Sequence, residues 1–276
     1  MMPRFNIFTL LSKHLILLFA LLFCVVANAS AFELKEHSAT YTAKIKKGVS
    51  IKGSAVRSLS KIDDQNWLYR FDVESFIADI KESARLRVIP PQTAETVINA
   101  EMDAPQPHSL LKIQSLDYSY TLSAFLMPDR KRQIKFNWEQ RTAASSLKDD
   151  KWILNDIPEN SYDPLTYQLQ LLVDVHSGLK DMDYQLAKKG SLRESNFVVL
   201  GTEAIETRFG KLNAIVAKKQ RDDDAKRETF LWFSADYPLL LLKMTQKESD
   251  GEEYEIQLEK ASISGKPVDF SSHALN

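Results

Sequence analysis

Apolar side chains recur at every second position over most of the chain, the period of a strand with one buried face. Tyr41, Ala43 and Ile45 alternate with Thr42, Lys44 and Lys46, and Gly48 offers a turn before Val49 and Ile51 resume the pattern, which predicts a hairpin. Trp67, Tyr69, Phe71 and Val73 alternate with Arg70, Asp72 and Glu74, and Ala84, Leu86 and Val88 with Arg85 and Arg87. After a turn-rich stretch holding Pro105 and Pro107, Tyr118, Tyr120 and Leu122 mark one strand, and Ile134, Phe136 and Trp138 another. Pro128, Asp129, Arg130, Lys131 and Arg132 are expected in the connection between these two, and Asp149 with Asp150 in a turn within 148–152.

One segment, 162–178, departs from this period. Leu165, Leu169, Leu172, Val173 and His176 recur at helical spacing. Asp163 is suited to accept amide hydrogen bonds as N-cap, Pro164 to the first helical position, and Gly178 to a left-handed cap after the last turn. Tyr162 and Tyr167 are spaced for a hydrophobic staple. The spacing predicts one amphipathic helix packed on the sheet. Beyond it, strands are expected at 184–187, 197–200, 212–219, 229–233, 239–246 and 254–263, the last two joined at Asp250 and Gly251. About 11 to 14 strands are too many for a flat open sheet. The predicted fold is therefore mainly β: a single domain of strongly curved antiparallel sheet, half-barrel or barrel-like, with one helix.

The N-terminus reads differently. Arg4 and Lys13 precede an apolar run of 13 residues, 15–27, and then the small residues Ala27, Ala29 and Ala31. That is the layout of a cleavable secretory signal, and the run is shorter than the roughly 20 residues of a spanning helix. Cleavage is expected after Ala29 or Ala31. This divides the chain into a signal at 1–31, one β-rich domain at 32–266 and a loose polar tail at 267–276, with no membrane span once the signal is gone. The only cysteine, Cys24, lies in the signal, and Phe23 before it argues against lipidation. A mature chain without thiols has no disulfide, thiolate nucleophile or cysteine-bound metal. Removing Arg4 and Lys13 from the 36 basic residues leaves 34 against 37 acidic ones, a balance that argues against nucleic acid as partner.

From Gly201 onward the chain carries Glu203, Ile205, Thr207, Gly210, Ala214 and Val216, then Arg227, Thr229, Leu231 and Trp232. It continues with Tyr237, Pro238, Leu239, Asp250, Gly251, Tyr254, Ile256 and Leu258. With the helix start at Tyr162, Asp163, Pro164 and Leu165, these residues resemble the bacterial family known as domain of unknown function 3108, over about residues 38–264. One departure is the unbroken 239–242 run of leucines, where the family often has proline and valine. The resemblance implies an exported, envelope-located protein with a curved β fold, and supplies no catalytic residue.

Candidate chemistry is sparse. His37, His108, His176 and His273 share no ligand spacing, so no metal site and no cofactor are expected. Asp222, Asp223 and Asp224 invite calcium, but Arg221, Lys226 and Arg227 flank them and a charged hairpin tip is the simpler reading. Glu203 and Glu206 with Arg208 fall short of a glycosidase pair, because an odd spacing on a strand puts the two acids on opposite faces. No nucleophile elbow or phosphate loop is present. Trp67, Tyr69, Phe71, Tyr118, Tyr120, Phe136, Trp138, Phe230 and Trp232 are candidates to line a concave cavity for a hydrophobic ligand, with Arg70, Arg85 and Arg87 at its rim for an anionic head group. The plainer alternative is that these rings fill the core. The expected function is a non-enzymatic periplasmic protein that binds an envelope component, whether lipid, glycan or partner protein. The alternatives are a hydrolase of cell-envelope polymers and a scaffold that pairs through a sheet edge.

Overall fold

The computed structural model describes residues 32–47, 49–89, 111–125, 127–220 and 227–275. Sixteen strands among them form one sheet. The first half supplies β1 (His37–Lys47), β2 (Val49–Lys61), β3 (Asn66–Ser75), β4 (Ala78–Ile89), β5 (Lys112–Ala124), β6 (Met127–Asn137), β7 (Thr142–Leu147) and β8 (Asp150–Leu154). After β9 (Ser161–Tyr162) comes the helix α1 (Thr166–His176). The second half supplies β10 (Asp181–Lys188), β11 (Ser191–Thr207), β12 (Gly210–Lys219), β13 (Glu228–Ser234), β14 (Leu241–Lys247), β15 (Glu253–Ile263) and β16 (Lys266–Pro267).

The order is β8-β7-β6-β5-β4-β3-β2-β1-β15-β14-β13-β12-β11-β10-β9, with β16 beside β15. Two meandering arms are thus joined where β1 pairs with β15, as in Ala43↔Ile256. All pairs are antiparallel except β9 with β10. The sheet does not close, because β8 and β9 remain unpaired edges, yet its ends approach each other. Trp152 on β8 lies against Gly190 in the β10–β11 turn, so close that a Cβ on Gly190 would come within 2.6 Å of the indole. The pleat explains the curl: buried residues recur at every second position, as in Trp67, Tyr69 and in Ala84, Leu86, so one face of each arm needs cover.

Helix α1 provides that cover between β5 and β10. Leu165, Leu169 and Val173 enter one core cluster with Leu59, Leu86 and Ile134, while Leu171, Leu172 and Val175 enter another with Phe197, Phe233 and Leu258. Its polar stripe is covered too. Thr166, Gln170 and Asp174 are buried. Gln170 Nε2 donates to Asp174 Oδ1 at 2.7 Å, and Tyr184 Oη donates to Asp174 Oδ2 at 2.7 Å, so these two members of the stripe are satisfied by protein rather than water. The caps follow the sequence. Asp163 Oδ1 accepts from the amides of Leu165 and Thr166, both at 2.8 Å, although the regular helix begins at Thr166, two residues later than expected. Gly178, at φ +88°, ends it in a Schellman arrangement, with Leu179 N donating to Asp174 O and Gly178 N to Val175 O. Tyr162 and Tyr167 are bridged by Tyr184, which meets both rings.

Several expectations are corrected. Pro128, Asp129, Arg130, Lys131 and Arg132 lie within β6, because that hairpin turns earlier, between Ala124 and Met127. Asp150 begins β8, and the turn before it is Lys148 with Asp149. Strand β7, whose buried positions are only Ala143 and Ser145, had no apolar pattern to announce it. The tail is not loose: Val268 N donates to Ala261 O at 2.9 Å, Leu275 N to Lys211 O at 2.8 Å, and Phe270 is 2% exposed. The turn expected at Gly48, the prolines 105 and 107, His108, the aspartates 222–224 and the signal expected at 1–31 lie outside the described residues. Residues 32–276 form one compact unit that holds every described strand, the helix and both core clusters.

Candidate functional site

Between the first turns of α1 and both arms of the sheet lies a cavity of about 270 Å³. Its apolar wall is Phe71 from β3, Leu171 from α1, Phe197 from β11, Leu231 from β13 and Met244 from β14. Its polar lining is Arg57 from β2, Tyr167 and Gln168 from α1, Lys219 at the end of β12, Arg227, Thr229 and Gln246. Among the described residues that line it there are three cations and no carboxylate or imidazole. The volume lies just under the range of about 300–1,000 Å³ usual for small-molecule sites.

Arg57 is the unusual member. It occupies the inward parity of β2 between Ala55 and Leu59 and is 6% exposed. Nη2 donates to Gln168 Oε1 at 2.8 Å, and the guanidinium lies 4.8 Å from the centroid of Phe71 and 5.8 Å from that of Tyr69. Nε has no hydrogen-bond partner, and no carboxylate among the described residues pairs with the group. Burial works against the charge, but the oxygens of Tyr69 and Tyr41 and the Glu82 carboxyl outweigh it and keep Arg57 cationic. The other cations are better placed: Lys219 Nζ sits 5.5 Å from the centroid of Phe197, and Arg227 is ion-paired with Glu248.

Buried acids stand elsewhere, in structural roles. Glu82 accepts from Tyr118 Oη at 2.6 Å, and burial pushes its carboxyl up. Burial likewise pushes up Asp163, whose Oδ1 is committed to the helix amides. His176 lies between two backbone carbonyls, with Nδ1 2.8 Å from Leu172 O and Nε2 2.9 Å from Ser234 O, which holds the ring in a structural position. Arg208 pairs with Glu259, and Glu203 accepts from Trp232 Nε1 at 2.6 Å, so the acids near residue 205 form no catalytic pair. No cluster of three metal-ligating side chains occurs among the described residues, nor any helix long and apolar enough to cross a membrane.

Of the ring residues singled out by pattern, Phe71 lines the cavity. Tyr69 lies beneath Arg57. Trp67 and Tyr118 are buried in the second core cluster, and Tyr120, Phe136 and Trp138 pack against it, the last two stacked at 5.6 Å. Trp232 and Phe230 point to the opposite face from Thr229, Leu231 and Phe233, which are the buried positions of β13. In that strand both parities are apolar, so the pattern could not say which faced inward. Arg70, Arg85 and Arg87 are exposed on the outer face, and Arg85 Nε donates to Asp117 Oδ2 at 2.6 Å. They do not rim the cavity. The cations that do, Arg57, Lys219 and Arg227, are not among the cavity residues expected from the sequence, although an arginine in phase with Ala55 and Leu59 is a readable signal.

A family profile described as "Protein of unknown function (DUF3108)" matches residues 40–259. The chain belongs to this family. No curated protein matches the sequence. Among solved structures, the crystal structure of a β-barrel-like protein of domain of unknown function DUF1849 from Brucella abortus is similar at a TM-score of 0.52 and 11% identity. That match covers 84% of this chain and 99% of the other, and supports the curved β fold of this DUF3108 protein alone. A DUF1329 family protein from Desulfovibrio piger matches at a TM-score of 0.30 and 8% identity, over 87% of this chain and 90% of that one, and carries no argument.

Proposed function

We propose that this DUF3108 protein is exported through a cleaved leader at 1–31 and acts in the periplasm as a non-enzymatic binding protein for an amphipathic, anionic envelope component. Arg57 carries the reading. A cation withdrawn from water without an ion pair costs several kcal/mol, and is kept where its charge is used. Its guanidinium faces a cavity with apolar walls and no described acid in its lining, which suits a carboxylate or phosphate attached to a hydrophobic body. The leader is supported by Arg4, Lys13, the apolar run and Ala29 with Ala31. No carboxylate, imidazole or thiol lies in the described lining of the cavity, so no acid–base pair of the kind a hydrolase of envelope polymers needs is assembled there.

The test is native mass spectrometry of protein isolated from the periplasm, with extraction of co-purified lipid and N-terminal sequencing. A chain starting at Ser30 or Phe32 and carrying an anionic amphiphile is the expected result. Protein that is empty, and that fails to take up an anionic fluorescent amphiphile in titration, refutes the binding role.

A further inference from the structure

Short hairpin tips ordinarily carry Asn, Asp or Gly, which suit both the turn and water. The tip between β3 and β4 instead holds Phe76 and Ile77, and the tip between β5 and β6 is flanked by Phe125 and Met127. Phe76 is 83% exposed, Phe125 78% and Met127 51%. The turn itself does not require them. Ser75 Oγ donates to Ala78 O at 2.8 Å and accepts from Ala78 N at 3.1 Å, which closes the first tip by other means.

The tips are neighbours. Ala78 pairs with Ala124, and Phe125 N donates to Ile77 O at 3.0 Å, so both rings leave the sheet at the same end. The ladder register runs from Thr229↔Gln246 at the cavity through Lys247↔Glu253 and Lys46↔Glu253 to Gly53↔Ser75, which places that side of the cavity at the same end. Arg130 and Lys131 are exposed on opposite faces of β6 behind the rings, while Arg132 is half-buried over the Tyr120 ring, and the acids Glu74, Asp79 and Asp129 lie in the same zone. Arg130 pairs with Leu122, which is about 10 Å along the strand from Phe125. An interfacial element sinks about 5–10 Å into the boundary between head groups and acyl chains, so the cations would lie at head-group level.

We propose that these adjacent tips dock the protein on a lipid bilayer containing anionic lipid, with Phe76 and Phe125 inserted and Arg130 and Lys131 of β6 against the head groups. Small protruding tips fit a fluid surface better than a protein interface, which needs about 800 Å² of complementary area on each partner. The inference does not rest on the cavity reading.

Residues 32–276 are tested by co-sedimentation with vesicles of phosphatidylethanolamine and phosphatidylglycerol. Phe76→Ser and Phe125→Ser are each expected to weaken binding about tenfold, and the double substitution about a hundredfold. Both leave the unfolding midpoint in place, since the side chains are exposed. Ile62→Ser, which removes an exposed side chain at the opposite end of the sheet, leaves binding unchanged. Absence of binding by the native sequence, or equal binding by the double variant, overturns the proposal. A dimer that the double variant dissolves, with no affinity for vesicles, overturns it in favour of self-association.

Discussion

Arg57 on strand β2 and Gln168 on helix α1 are joined by a hydrogen bond of 2.8 Å that crosses the interior of the sheet. Gln168 Nε2 in turn donates to Pro164 O at 2.9 Å, so the amide that receives the guanidinium is itself held by the start of the helix. The contact orients one edge of the guanidinium and leaves Nε unused. A residue needed only for the fold would be expected to satisfy all its donors.

Replacing Arg57 by Met keeps most of the volume and removes the buried charge. Apolar replacement of buried charges is often neutral or stabilising, by about 1–4 kcal/mol. The expected outcome is an unchanged or raised midpoint in urea together with about tenfold or greater loss of affinity for an anionic amphiphile, since a hydrogen bond to a charged group contributes about 1.5–3 kcal/mol. Loss of stability with affinity intact would make Arg57 structural.

Glycine separates backbone strain from crowding at two positions. Gly178 has φ +88° and open space around a prospective Cβ, so Gly178→Ala should cost about 1 kcal/mol from conformation alone. Gly190 has φ +72° and Trp152 within 2.6 Å of that Cβ, so Gly190→Ala should cost about 1–3 kcal/mol more, through displacement of the indole that brings the sheet ends together. Equal losses in chemical denaturation would contradict the approach of β8 to the β10–β11 turn.

Much of this architecture was legible because most strands bury one face and the helix carries its own punctuation. Trp67, Tyr69 and Leu86 alternate with charges, and Asp163 and Gly178 bracket α1. Legibility failed where local pattern and tertiary context parted. The 142–147 strand has only small buried side chains, and β13 is apolar on both faces. The basic run at 130–132 resembles a loop yet lies in a strand whose first residues are exposed on both faces, as the adjacent Arg130 and Lys131 show. The cavity was illegible for a deeper reason. It joins β2, β3, α1 and β11 to β14, and only the pairing of β1 with β15 brings those segments together.

His37 gives the protein a pH dependence of definite sign. Burial, the largest influence, lowers its pKa from 6.5 to about 4, opposed by the bond to Lys35 O at 3.0 Å and reinforced by Arg57. The folded state therefore prefers the neutral ring, and between pH 6.5 and 4 the unfolded chain binds more protons. This contribution is complete above pH 6.5 and falls with pH until about 4, by ~3 kcal/mol in all. His37→Asn places a neutral amide near the bond to Lys35 O and should remove that component. The difference in unfolding free energy between native and variant protein should shrink steadily as pH falls through this window, and a constant difference would refute the assignment.

Phe270 tests whether the C-terminal segment belongs to the domain. Its ring stacks on Phe209 at 4.4 Å and meets Tyr237 edge-on at 5.1 Å, while Tyr237 Oη donates to Asp269 O at 2.7 Å. A lone aromatic residue in a polar tail thus closes the sheet end where β11 turns into β12. Phe270→Ala removes a ring that is 2% exposed and should cost about 3 kcal/mol, toward the lower end for such truncations because a segment near the chain terminus can collapse into the space. Removal of residues 266–276 should cost at least as much, since it also strips β16 from β15 and uncovers Phe209. A free tail would predict no change in the urea midpoint for either variant, so the two readings separate in one denaturation series.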